Sequence, residues 1–401
     1  MEALKLLLVF IVIMVVMGLR RPLYVSIASG ILATIILYRV NIIDGIKAMY
    51  ISAVSLDTLY LILAFYTITF LQRLLEDRNH LILAEKSLSN LFNSRRINAM
   101  VAPFVIGMLP SPGAVLIAGP IVDKAGEDYV TTKEKAFITT YYRHISESFM
   151  PTYAQILLAV NLSGINMTYF VLGMIPLVFV LFILGYIFYV RKIPKETGLP
   201  ESKNKKQDII NIFISLWSIA LTTIIILIFN IQVYLAVIPV AILSIFLNRF
   251  KWQEIKPMFV TAFDTKLALS TIVIMMFKGV IAYTGIIENL PVYFAALPIH
   301  PAFIFALIFL FGTIVAGSQA MVAIAIPLAF ATIPYGGLAL LILLMSMSYI
   351  ASQISPTHIC LAIVTEDFGV SFIDLVMSTM PILISFVIIS TIYSYAIFLL
   401  F

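Results

Sequence analysis

Charge is what this sequence has least of. Asp, Glu, Lys and Arg make up 11% of its 401 residues, against 62% hydrophobic ones. A soluble domain carries about 25% charged residues and at most about half apolar ones, so an ordinary soluble globular chain is excluded. Cysteine is nearly absent. The one thiol, Cys360, stands inside an apolar segment, which excludes a disulfide framework or a metal site built of cysteines within one chain and leaves the redox compartment open. No polar stretch is long enough for a soluble catalytic domain, and none is expected. The amino-terminal apolar run (4–19) ends at Arg20-Arg21-Pro22. It lacks the small residues of a cleavage site, so a retained span is expected there rather than a removed signal.

What is there is a succession of apolar runs of about 16–24 residues, the length that crosses a hydrocarbon core. In the first half they fall at 4–19, 23–38 and 56–72, followed by a charged amphipathic stretch at 73–96. A segment broken by prolines and glycine comes next (99–122), then spans at 136–160 and 167–190. A polar linker, 191–208, separates these from spans at 209–229, 231–247 and 266–285, a second broken segment at 301–328, and spans at 338–363 and 373–400. The net charge of +5 would suit nucleic acid or anionic lipid. The cationic residues, however, sit in short loops between apolar runs and read as topology signals. The bilayer, and no nucleic acid, is the expected partner.

The positive-inside rule orients the chain in the cell membrane. With the amino terminus outside and each broken segment turning back, Arg20/Arg21, 73–96, 123–135, the 191–208 linker and Arg249/Lys251/Lys256 all fall inside. Full crossing by the broken segments would scatter cationic loops over both faces. The pattern predicts ten crossings plus two re-entrant hairpins in an all-α polytopic protein.

An internal repeat is legible in the residues. Asp57-Thr58 is answered 207 positions later by Asp264-Thr265, and SPGAVLIAGP (111–120) at the same offset by SQAMVAIAIP (318–327). Pro151-Thr152 is answered by Pro356-Thr357 at an offset of 205. Five crossings per half is an odd number, so the second copy is inverted, as in many secondary transporters. The domains are expected at 1–190 and 209–401, joined by a cytoplasmic linker.

Four backbone breaks follow from this, in two symmetry pairs. The hairpin tips are Leu109-Pro110-Ser111-Pro112-Gly113 and Gly317-Ser318-Gln319-Ala320; the broken spans are interrupted at 148–152 and at Ser355-Pro356-Thr357-His358. A break at membrane depth is tolerated only where protein or a water-filled cavity satisfies the freed backbone groups. The helix amino termini there suit a carboxylate or phosphate, and exposed carbonyls with hydroxyls suit a sodium ion; a lone proline kink is the bland alternative. Intramembrane charge, which costs about 2.5–3.5 kcal/mol per residue, gathers at Arg143, His144 and Glu147, with Lys278 deep in its own span. Arg143 and Glu147 are four apart and either neutralise each other, or Arg143 or His144 attracts an anion while Glu147 carries a coupling ion. His358 beside its break is a candidate titrating group. Asp57 and Asp264 are expected to cap their helices.

With the tips, the repeat and the paired Pro-Thr breaks in view, the chain resembles the ion transporter superfamily of dicarboxylate, citrate, gluconate and arsenite carriers. Within it, the chain is most similar to an uncharacterised integral-membrane family described as a domain of unknown function. The resemblance implies solute and sodium held by the hairpin tips and facing breaks. By position that role falls on Ser111, Gly113, Thr152, Ser318 and Thr357, with sodium at Ser111, Thr152, Ser318 and Thr357; Pro112, Gln319, Ala320 and His358, at the same tips and break, are the further candidate binding residues. It also implies an elevator-like movement against a dimeric scaffold, with no cofactor other than sodium. The tips depart from the Ser-Asn-Thr signature of the dicarboxylate carriers, reading Ser-Pro-Gly and Ser-Gln-Ala. The function expected is secondary active transport of a small anionic solute, a carboxylate or oxyanion, coupled to Na⁺ or H⁺, and not enzymatic. The alternatives are an ion channel and an intramembrane hydrolase with Ser318 as nucleophile and His358 as base.

Overall fold

A computed structural model describes the chain except residues 1, 20, 109–113, 197–203, 287–297 and 401. Nineteen α-helices and no strand occur among the described residues. They are α1 (Glu2–Gly18), α2 (Leu23–Leu37), α3 (Ile42–Ala53), α4 (Leu56–Asp77), α5 (His80–Phe92), α6 (Arg95–Gly107), α7 (Ala114–Gly126), α8 (Thr132–Ile145), α9 (Ala154–Ser163) and α10 (Met167–Phe188) in the first half. The second half holds α11 (Lys205–Phe229), α12 (Val233–Leu247), α13 (Trp252–Thr261), α14 (Thr265–Tyr283), α15 (Pro301–Ala316), α16 (Ser318–Thr332), α17 (Gly337–Ser352), α18 (Ile359–Phe368) and α19 (Phe372–Leu400). Six helices among the described residues are long and apolar enough to cross a membrane alone, and the chain is a polytopic helical membrane protein.

The repeat appears as an exchange of contacts. α2 packs on α14 and α4 on α12; α7 packs on α18 and α16 on α9; α8 meets α19 and α17 meets α10. Each hairpin therefore lies against the second limb of the broken span belonging to the other half. The broken spans also stop alike. Both end at a left-handed glycine, Gly164 (φ 71°) and Gly369 (φ 63°), which stand 205 positions apart as the two prolines do. Two short helices, α3 and α13, were not expected from the apolar runs; they hold equivalent places between the second and third spans of each half.

Local sequence accounts for the helix starts. Asp264 caps α14 by accepting from the Leu267 N–H at 3.0 Å, as its position predicts. Asp57 does not cap α4. That helix begins one residue before it, at Leu56, so the cap is Ser55, which accepts from the Thr58 N–H at 3.3 Å.

Two of the cationic loops are held by specific pairs. Arg78, after α4, forks onto Glu254 at the start of α13 (3.2 and 3.3 Å) and lies 3.9 Å over the Phe250 ring. Arg96 donates to the carbonyls of Ile193 and Arg191, and Lys192 pairs with Glu134 at 2.5 Å. The Arg78 hydrogen bonds hold the exposed Glu254 carboxyl below the usual carboxylate range.

Candidate functional site

The first broken span buries its charges among aromatic rings. Arg143 and His144 are 1% and 0% exposed, and Tyr141, Tyr142 and Phe137 around them are equally buried. A lone guanidinium there would be prohibitive. Arg143 is instead paired with Glu147 one turn on, at 2.5 Å. His144 Nε2 lies 3.6 Å from the same carboxylate, too far for a hydrogen bond. Its Nδ1 lies 2.5 Å from the Thr140 carbonyl. A carbonyl only accepts, so Nδ1 carries the proton and Nε2 is the ring's acceptor. His358, from the second broken span, stands edge-on to His144 with ring centroids 4.5 Å apart.

Each hairpin is pinned to the break of its own half through the same carbonyl position. Ser146 and Tyr153 both donate to the Gly107 carbonyl at 2.5 Å; Ser355 donates to the Ile314 carbonyl at 2.8 Å. Positions 107 and 314 are 207 apart, the offset of the repeat. These bonds satisfy carbonyls at the ends of α6 and α15 that have no partner within their helices. Gly107 leaves no space: a Cβ there would sit 1.9 Å from the Arg143 carbonyl oxygen.

The second hairpin turns on a single non-helical residue, Gly317, whose φ of +84° and ψ of 158° only glycine adopts without strain. Around this turn lies a cavity of about 960 Å³. Its walls are the tip residues Gly317, Ser318, Gln319 and Ala320, the break residues Ser352, Ser355, Thr357 and His358, and Glu147 with Gln155 from the first broken span. Met17, Arg21 and Leu23, at the turn from α1 to α2, complete it. A water-sized recess of about 10 Å³ continues beneath, between Glu147, Gln155, Ser318, Ser348, Tyr349 and Ser352.

A pocket of about 10 Å³ lies among Met108, Thr152, Gln72 of α4, Ile219 and Thr222 of α11, and Val237 of α12. Met108 and Val315 are 207 apart, and Thr152 and Thr357 are 205 apart, so this pocket and the cavity each take in one repeat-related residue of the hairpin and one of the break.

Of the residues singled out in the sequence, Ser318, Gln319, Ala320, Thr357, His358 and Glu147 come together on this cavity. Arg143 and His144 stand behind Glu147. Thr152 lies in the small pocket beside Met108, its hydroxyl buried and without a hydrogen bond. Lys278 stands on α14 away from the cavity wall. Ser111, Pro112 and Gly113 fall outside the described residues. Ser318 and His358 share the cavity without a hydrogen bond between them; His358 Nδ1 instead donates to the Ser352 carbonyl at 3.1 Å. Arg21, Gln155 and Ser352 were not singled out. Arg21 reads as a topology signal in a loop, and only the packing of α1 against the hairpin brings it to the cavity.

Comparisons with known proteins agree with this architecture. The family model described as "Protein of unknown function (DUF401)" matches residues 3–398. No curated protein matches the chain. Among solved structures, the crystal structure of the Alcanivorax borkumensis YdaH transporter, described as revealing an unusual topology, is similar with a TM-score of 0.67. The identity is 11%, over 89% of this chain and 90% of that one. A likeness at that identity shows a shared fold.

Proposed function

The chain belongs to the DUF401 family, and we propose that it is a secondary active transporter of a small anionic solute that occupies the cavity at the second hairpin tip. The observation that carries this reading is the open cavity at the second hairpin tip, where the hairpin turn, the break beside it and Glu147 of the other half share one space. Alternating access needs such a site, exposed to one side at a time. The volume is that of a small-molecule site.

An anion is favoured by what surrounds the cavity. α16 begins at Ser318 and α18 at Ile359, both on the wall, so the N–H ends of two helices border the space. The side-chain amides of Gln155 and Gln319 add donors, and the exposed Arg21 stands at the turn of α1 and α2. A carboxylate or a similar oxyanion fits that set. Glu147 is the one acidic side chain among the described residues of the wall and is the candidate for the coupling cation, Na⁺ or H⁺. The recess beneath it supplies hydroxyls from Ser318, Ser348 and Ser352, oxygen ligands of the kind a sodium ion takes.

The test is thermal unfolding of the purified protein against small carboxylates and oxyanions, with and without Na⁺. A ligand of the native state stabilises by RT ln(1 + [L]/Kd), about 2.7 kcal/mol at a hundredfold excess over Kd. The expected result is a rise in Tm with one anion, enhanced by Na⁺ or by lower pH and abolished in Ser318→Ala. Absence of any shift across the panel in both salts overturns the anion reading.

A further inference from the structure

Behind the cavity wall, the crossing of the two broken spans gathers a set of ligand atoms that transport of an anion does not use. His144 of α8, His358 at the start of α18 and Cys360 one residue into it place a ring nitrogen each and the thiol sulfur within 4.8 Å of one another. We propose that His144, His358 and Cys360 form a binding site for a borderline-soft divalent cation of the Zn²⁺ type, tying the first half of the chain to the second.

Three observations lead there. Both imidazoles are oriented in the manner of metal ligands, whose other ring N–H is usually committed to a carbonyl or carboxylate. His144 Nδ1 donates to the Thr140 carbonyl at 2.5 Å and His358 Nδ1 to the Ser352 carbonyl at 3.1 Å. The tautomers so fixed leave Nε2 with its lone pair on each ring. His144 Nε2 is fully buried and has no hydrogen-bond partner, an uncommon state for a buried polar atom and one that a metal ion resolves. Finally, the donor set is two imidazoles and a thiol. That set selects Zn²⁺ and its neighbours over Na⁺, Mg²⁺ or Ca²⁺, which take oxygen.

Zinc holds nitrogen at about 2.0–2.1 Å and sulfur at about 2.3 Å, so tetrahedral ligand atoms lie about 3.5 Å apart. Side-chain rotations of about an ångström bring the three atoms to that spacing. Binding displaces the Cys360 proton to solvent. The fourth position falls towards the Glu147 carboxylate, 3.6 Å from His144 Nε2. The thiolate offsets one of the ion's two charges, and the Glu147 carboxylate is shared between the ion and Arg143, which leaves one positive charge at the edge of the cavity. Since His358 and Glu147 also line the cavity, the ion has a route in.

Cobalt titration of the metal-free, purified full-length protein tests this without any solute. The expected result is saturable binding of one ion per chain, with a thiolate-to-cobalt charge-transfer band in the near ultraviolet. Zn²⁺ displaces the cobalt and raises Tm. Cys360→Ser abolishes the band, and His144→Ala or His358→Gln weakens binding at least about tenfold. X-ray absorption of the zinc-loaded wild type reads the shell directly, whatever the variants do in folding, with one sulfur at about 2.3 Å and nitrogens at about 2.0–2.1 Å. No saturable cobalt binding, a band that persists in Cys360→Ser, or a shell without sulfur overturns the site. An anion-induced Tm shift that survives in such a protein leaves the transport reading standing, so the two fail separately.

Discussion

Gly107 shows how much one residue decides here. Its Cα lies against the Arg143 backbone while its carbonyl takes hydrogen bonds from Ser146 and Tyr153. Gly107→Ala sets a methyl against a backbone carbonyl, which no rotamer change relieves. The expected cost is about 1–3 kcal/mol, typical of overpacking, read as a fall in Tm of the detergent-solubilised protein. Tyr153→Phe removes one of two donors to the same carbonyl and should cost about 1 kcal/mol. An unchanged Tm for Gly107→Ala would show that the hairpin is not seated on the break as described. The alternatives for Arg143 and Glu147 resolve in part at this scale. The pair does form, at 2.5 Å, yet Glu147 also reaches the cavity wall, so pairing and a functional role do not compete. Sequence spacing shows that the two share a helix face; it does not show which of them faces the open space.

Between elements, the junction of α4 with α13 makes a prediction about acid stability. Arg78 bridges to Glu254 and holds its carboxyl below the usual range, so the folded protein binds that proton less readily than the unfolded chain. The stabilisation is present at neutral pH, above the carboxyl's unfolded value, and is lost as pH falls through its lowered folded value. Thermal melts of wild type and Glu254→Gln should therefore differ at neutral pH and converge on acidification. A gap that stays constant or widens towards acid would show that the bridge does not stabilise the fold. α3 and α13 themselves escaped the hydropathy reading because each is short, 12 and 10 residues, and carries charge.

At the scale of the molecule, the helices before each hairpin pack with one another across the halves, α2 with α14 and α4 with α12. The hairpins and broken spans interlock separately. The cavity lies between these two groups, bounded by α1 and α2 on one side and by the hairpin and break on the other, and in the proposed transporter this is the seam along which an elevator-like movement would run. A cysteine introduced as Gln155→Cys in a Cys360→Ala background should react with a membrane-impermeant thiol reagent from one side of the bilayer only. Solute with its coupling ion should shift that labelling towards the other side. Equal reactivity from both sides at once would instead favour a channel.

The sequence by itself determined the class of this protein, because crossing a bilayer requires long apolar runs, and it determined the repeat, because matched Ser, Pro and Thr at a nearly constant offset survive in apolar surroundings. The broken segments were legible for the same reason, since proline and glycine interrupt a helix wherever it lies. The first tip, Ser111-Pro112-Gly113, lies outside the described residues, and the second was located to the residue. What only the tertiary structure decided is which breaks share a space. His144 and His358 are 214 positions apart, an offset that matches no repeat. Their contact, and the meeting of Arg21, Glu147 and Ser318 on one cavity, depend on how helices cross, which is set by side-chain packing between the halves and leaves no periodic mark on the chain.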